Sequence, residues 1–140
     1  MTRLGALAAL LASAVALHAP ASPRAGELDA ARLAGRQWYV AWVKGADAVP
    51  GTTGSLSFGE GGQLVGTSGC NRLRGDYSLA TPEGRLEVGE VALTRMLCPE
   101  EIMRYERAIV SALKEADKLE IAEDGSLRLT VGSEPLLVMK

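Results

Sequence analysis

Short apolar runs separated by glycine-rich tetrads leave this chain few options beyond an antiparallel sheet. Ser55-Leu56-Ser57-Phe58 and Gln63-Leu64-Val65-Gly66 flank Gly59-Glu60-Gly61-Gly62, two short strands around a four-residue turn. Asp76 to Ala80 and Arg85 to Val88 flank Thr81-Pro82-Glu83-Gly84 in the same way. Near the end, Leu119-Glu120-Ile121 and Leu127 to Val131 alternate apolar and polar around Glu123-Asp124-Gly125, and Gly132-Ser133 leads into Leu136 to Met139. Upstream, Gln37 to Val43 is aromatic and β-branched. Strict alternation puts Trp38, Val40 and Trp42 on one face and Tyr39, Ala41 and Val43 on the other, so both faces are apolar and the strand is expected to be covered on both. Gly45 to Gly54 reads as a loop, and Val91 to Leu97 as a further strand. The expected fold is mainly β: an antiparallel meander curled into a barrel-like sheet.

One long helix gives the fold its α+β character. Between Pro99 and Asp117, the residues Ile102, Tyr105, Ile109, Ala112, Leu113 and Ala116 recur at spacings of three and four and form one apolar stripe. Pro99 suits a first helical position, and Glu100 and Glu101 suit the positive end of the helix dipole. The stripe carries no ligand-type side chain and is expected to be core. A second, short helix is expected from Leu28 to Leu33, stopped near Gly35. There is no internal repeat.

The beginning of the chain has the three parts of an export signal. Met1-Thr2-Arg3 is basic, Leu4 to Leu17 is uncharged and mostly apolar, and Ala19-Pro20-Ala21 offers the small residues a signal peptidase reads. Fourteen such positions fall short of the about 20 that a spanning helix needs. Residues 1–21 are therefore expected to be a cleaved signal, 22–29 a leader and 30–140 one domain, periplasmic or secreted and not membrane-spanning. No Cys stands at the cleavage point to take a lipid.

Cleavage would leave 14 basic against 17 acidic residues, with no clustered basic face to suggest nucleic acid as a partner. It would also remove His18, the only histidine. Imidazole-based catalysis and His-containing metal sites are then excluded, and no metal or cofactor is expected. Cys70 and Cys98 are the two cysteines. An even count in an oxidising compartment is read first as a disulfide. A pair of small, buried, unlinked thiols is the other reading.

Four groups of residues carry a family resemblance. Leu33, Gly35 and Trp38 form L-x-G-x-x-W; Leu56-Ser57-Phe58 leads to Gly69-Cys70-Asn71-Arg72, followed by Gly75 and Tyr77; Thr94, Met96 and Cys98 form T-x-M-x-C directly before a helix; and the helix carries Glu106 and Leu113. In this order, over roughly residues 30–139, the chain resembles a META domain of the HslJ-like kind, a bacterial envelope family. It departs by having Leu73 and Arg74 where an aromatic often follows the first Cys box, and no aromatic near Ala108 and Ile109. The resemblance implies a compact antiparallel barrel with one packed helix, and a link to heat stress and novobiocin tolerance. It implies no defining reaction.

The residues themselves leave two readings of the G-C-N-R box. Gly69 and Asn71 tolerate left-handed backbone, so the box can be a tight turn pinned by Cys70. Alternatively, Asn71, Arg72, Arg74 and Arg95 join into a cationic binding site for an anionic group, for which arginine forks are suited. Met96, Leu97 and Met103 either form an adaptable apolar contact patch or pack beneath the helix, the second being favoured. A thiol nucleophile at Cys70 or Cys98 would have no histidine to relay its proton, and Glu87, Glu90 and Glu101 look like ordinary solvated carboxyls rather than a hydrolytic pair.

The expected function is therefore non-enzymatic. The domain is expected to be a monomer that binds an envelope protein or a small amphipathic ligand during stress. The alternative is an inhibitor of an envelope or foreign hydrolase, and an enzyme ranks third. A deep apolar barrel mouth would favour a small ligand, a flat groove a protein, and a loop projecting into solvent inhibition.

Overall fold

The structure, a computed structural model, describes Leu28, residues 30–81 and residues 83–140. The expected signal over residues 1–21 lies outside the described residues. Among the described residues, no helix is long and apolar enough to cross a membrane.

The elements follow in the order α1 (Ala30–Leu33), β1 (Trp38–Val43), β2 (Ser55–Phe58), β3 (Gln63–Thr67), β4 (Arg72–Ala80), β5 (Arg85–Val88), β6 (Ala92–Leu93), α2 (Glu100–Glu115), β7 (Lys118–Ile121), β8 (Leu127–Val131) and β9 (Glu134–Met139). The sheet runs β3-β2-β1-β9-β8-β7-β5-β4-β6, and β3 also pairs with β4. That extra pairing closes eight strands into an antiparallel barrel and leaves β6 as an appended ninth. Closure removes the two edges that an open meander would expose.

Strand β4 makes closure possible because its two halves have different partners. Residues 72–76 pair with β3, while Tyr77 to Ala80 pair with β5. Along the β5 edge the register moves from Tyr77↔Val88 to Arg74↔Ala92, one residue out of step. A bulge over Gly89–Val91 therefore separates β5 from β6, and beyond it β6 stays paired with the first half of β4. Gly75 sits opposite this bulge, and a Cβ there would come within 3.0 Å of the Glu90 carbonyl.

Inward positions alternate as the sequence pattern requires. Leu56, Phe58, Leu64, Leu73, Leu86, Leu119, Ile121, Leu127, Leu129, Leu137 and Met139 form the core. Phe58 meets the Tyr77 ring edge to face, with centroids 5.1 Å apart. The L-x-G-x-x-W box closes the start of the barrel. Gly35 turns the chain at φ +76°, and buried Trp38 donates its indole N–H to the Leu33 carbonyl at 3.2 Å.

Strand β1 differs from the expected strand covered on both faces. Its register against β9 shifts between Val40 and Trp42. The bulge at Ala41 reverses the alternation, so that Trp38 and Val43 are both buried while Trp42 turns outward, 46% exposed. Tyr39 is 51% exposed. The expected strand over Val91 to Leu97 is shortened to Ala92–Leu93, and beyond it the chain leaves the sheet.

Helix α2 packs against β1, β8 and β9. Tyr105, Ile109, Ala112 and Leu113 are buried on its inner face, as the apolar stripe predicts. Ala116 ends the helix in extended backbone. Glu106, on the same helix, is also buried, 5% exposed.

Candidate functional site

Two elements meet at one side of the barrel: the turn 68–71 before β4, and the extended segment 94–99 between β6 and α2. Gly69 makes the turn possible at φ +96°. Asn71 does not use left-handed backbone, since no non-glycine among the described residues has positive φ. It serves instead as a bracket.

Asn71 is 3% exposed and uses every polar group of its side chain internally. Its Nδ2 donates to both Glu106 carboxyl oxygens at 3.1 and 2.9 Å, and more distantly to the Met96 carbonyl at 3.5 Å. Its Oδ1 accepts from the Met96 N–H at 2.7 Å and from the Thr94 hydroxyl at 2.9 Å. The Asn71 N–H points to Glu106 Oε2 at 3.1 Å, and the Ser68 hydroxyl also donates to that oxygen. Glu106 is thus held by the turn, and the turn holds segment 94–99. A buried carboxyl needs such partners, because unpaired it would cost several kcal/mol of solvation.

Beside this bracket, the Cys70 and Cys98 sulfurs lie 2.03 Å apart, with Cα atoms at 6.0 Å, as a disulfide requires. Tyr105 supports the turn from below: a Cβ on Gly69 would approach its ring to 3.1 Å. The Tyr105 hydroxyl accepts from the Gly54 N–H at 3.4 Å, and burial raises its pKa above the usual 10.0.

The segment between these anchors is exposed. Met96 is 60% and Leu97 97% exposed, which corrects the expectation that they pack beneath the helix. Only Met103 is partly covered. The reason is geometric. The bracket takes up the Met96 backbone and the disulfide takes up the Cys98 side chain, so the side chains of residues 96 and 97 have nowhere to go but outward.

The four residues expected to bind an anion separate into two roles. Asn71 is interior. Arg72 and Arg74 alternate with buried Leu73 and Gly75 on the outer face of β4. With Val65, Leu93 and Thr94 they line a shallow groove. Arg95, Met96, Leu97 and Met103 line a second concavity that shares Leu93 and Thr94 with the first. Arg72 and Arg74 thus flank the start of the exposed segment and Arg95 lies within it, and none of the three forms an ion pair among the described residues. Glu87, Glu90 and Glu101 lie exposed on β5, its bulge and α2. No cluster of three metal-ligating side chains occurs among the described residues.

Sequence reasoning missed the part played by Glu106. The signal was present: Glu106 lies four residues after Ile102 and three before Ile109, so a carboxyl interrupts the apolar stripe.

The architecture defines a class: a small closed barrel whose exposed segment is cross-braced to a turn by a disulfide and a buried asparagine. A META domain family model matches residues 31–140, and the chain belongs to the META domain family. Among solved structures, the chain is similar to an NMR structure of a protein from Burkholderia xenovorans. The two share 25% identity with a TM-score of 0.62, covering 91% of this chain and 97% of that one. A second NMR structure shares the fold at 24% identity and TM-score 0.62, covering 80% of this chain and 94% of its own. No curated protein matches the chain.

Proposed function

We propose that this META domain acts by binding another protein, without catalysis, and that segment 94–99 is its contact element. The observation that carries this reading is Leu97, 97% exposed on a segment fixed on both sides of it. A large apolar side chain in water costs solvation free energy, and it contributes to affinity when a partner covers it. Fixing it in advance lowers the entropy lost on binding. The barrel interior is filled by its own leucines, Trp38 and Phe58. That filling supports a protein partner over a small amphipathic ligand held inside.

Arg95 lines the same concavity as Leu97, and Arg72 and Arg74 line the adjoining groove that shares Leu93 and Thr94 with it, which puts positive charge beside the segment on a chain of net charge −2. This arrangement suits a partner with an acidic rim, and its main effect would be on association rate. The resemblance of the Cys boxes to HslJ-like proteins and the export signal expected over residues 1–21 support binding in the bacterial envelope under heat or antibiotic stress.

The test is a photo-crosslinking residue at position 97 in cells under heat stress, with position 123 in the β7–β8 turn as control. The expected result is an adduct at 97 only, suppressed by excess wild-type protein and not by excess Leu97→Asp protein of unchanged melting temperature. Equal labelling at both positions, or equal competition by the variant, would contradict the reading.

A further inference from the structure

We infer that segment 94–99 is a substrate-like loop that blocks a serine endopeptidase with an apolar primary specificity pocket, entering that pocket with Leu97. This rests on the reading of the segment as the contact element and names the chemistry of its partner.

The backbone carries the inference as much as the side chain does. From Thr94 to Pro99 the chain has no turn, no bend and no left-handed residue; it runs extended. Proteases accept their substrates in that conformation, pairing the substrate backbone with an edge of the active-site cleft. Along the segment the backbone hydrogen bonds alternate. Met96 directs its N–H and C=O inward to Asn71. The N–H and C=O groups of Arg95 and Leu97 have no partner among the described residues. The outward pair is the set that an enzyme's edge strand would take from the residue before the cleaved bond and from the residue two before that.

The anchors are arranged around one peptide bond, Leu97–Cys98. Asn71 holds the residue before Leu97, and Cys70 holds the residue after it through sulfur. Cys70 and Asn71 are consecutive, so both anchors sit on one short turn, itself fixed to α2 through Glu106. An ordinary exposed loop is cleaved because it can bend into the transition state and its new ends then separate. Here neither step is free. If the protease serine Oγ attacks the Leu97 carbonyl carbon, a C–O bond forms and the C–N bond to Cys98 breaks, the serine proton passing to the Cys98 nitrogen. The disulfide keeps that amine beside the acyl carbon. Return of the nitrogen to the carbonyl restores the peptide bond and the free serine, returning the proton, faster than water completes hydrolysis. The effective concentration of a tethered amine makes the reverse step dominate.

Leucine selects the class of enzyme. It fits a hydrophobic slot of the kind chymotrypsin has and is a poor occupant of a pocket closed by an aspartate, as in trypsin. Arg95 stands two residues before Leu97, where the side chain meets the rim of a cleft rather than its specificity pocket.

The test is steady-state inhibition of chymotrypsin, subtilisin and trypsin by the purified protein, its Leu97→Asp and Leu97→Arg variants, and its Cys70→Ala/Cys98→Ala form. Because Leu97 is exposed, both single variants are expected to melt with wild type. Wild-type protein is expected to inhibit chymotrypsin or subtilisin with an inhibition constant below about 1 µM. Leu97→Asp should weaken it at least about 100-fold. Leu97→Arg should transfer inhibition to trypsin, and the form without the disulfide should be cut between positions 97 and 98. Absence of inhibition, rapid complete cleavage of wild type at this bond, or inhibition indifferent to Leu97→Asp would each overturn the inference. Should the position-97 crosslink survive while no protease is inhibited, binding through the segment stands and the protease assignment falls. Loss of both removes both.

Discussion

Removing the Asn71 side chain tests the bracket on which the site depends. Asn71→Ala deletes the amide that links turn, helix and exposed segment, while its own backbone N–H to Glu106 remains. Two bonds to Oδ1 are lost, from Met96 N–H at 2.7 Å and Thr94 Oγ1 at 2.9 Å, each worth about 1 kcal/mol. The Nδ2 pair to the Glu106 carboxyl is lost as well, adding about 1–2 kcal/mol because that group stays buried with fewer donors. The sum is about 3–4 kcal/mol, which for a domain of this size lowers Tm by about 10–15 °C. Urea and thermal unfolding followed by circular dichroism measure it. Hydrogen exchange at the Met96 amide adds a local readout: it should accelerate in Asn71→Ala relative to wild type. A stability loss under about 1 kcal/mol, with Met96 exchange unchanged, would refute the reasoning.

Other expectations follow from the same geometry. Cys70→Ala with Cys98→Ala opens a loop of sequence separation 28, and unfolding in denaturant should show about 3–4 kcal/mol less stability on the chain-entropy estimate. Arg72→Glu with Arg95→Glu should leave the melting temperature within about 2 °C, since exposed charges contribute little, while slowing partner association measured by surface plasmon resonance and reversing its salt dependence. The Ser126 hydroxyl and N–H both donate to Asp124, at 2.6 and 3.0 Å, and hold its pKa below the usual 3.8. Its stabilising effect is complete above that ordinary value and is lost as pH falls through the depressed native one; carbon-detected NMR titration should give a lower midpoint than the Asp124 carboxyl has in the unfolded chain.

Local pattern carried the hairpins and the helix. Period-two alternation around glycine turns found β2 with β3, β4 with β5, and β7 with β8, because neighbours in sequence are neighbours in the sheet. The α2 stripe was readable for the same reason. What escaped is set by contacts distant in sequence. The bulge at Ala41 follows from how β1 meets β9, and no local signal turns Trp42 outward. Strand β4 begins earlier than its hairpin requires because its first half is recruited by β3 to close the barrel. At the site, the pairing of Cys70 with Cys98 was legible from count and compartment, and the arginines from their positions along the chain. The turn at the G-C-N-R box is legible locally, with Gly69 rather than Asn71 in left-handed backbone, but the bracket made by the Asn71 side chain is not, since its partners Thr94, Met96 and Glu106 lie more than twenty residues away. The exposure of Met96 and Leu97 escapes local pattern for the same reason, because only the bracket explains why apolar residues beside a helix fail to pack beneath it.

The central claim is that Leu97 is at once exposed and fixed, and backbone relaxation of its ¹⁵N–H vector measures this directly. Among the described residues its N–H has no partner, so an unbraced loop would give an order parameter below about 0.6. The bracket and disulfide predict about 0.85, the value of rigid backbone, falling toward the flexible range in Asn71→Ala and on reduction of Cys70–Cys98. A flexible Leu97 in the intact, oxidised protein would contradict the account.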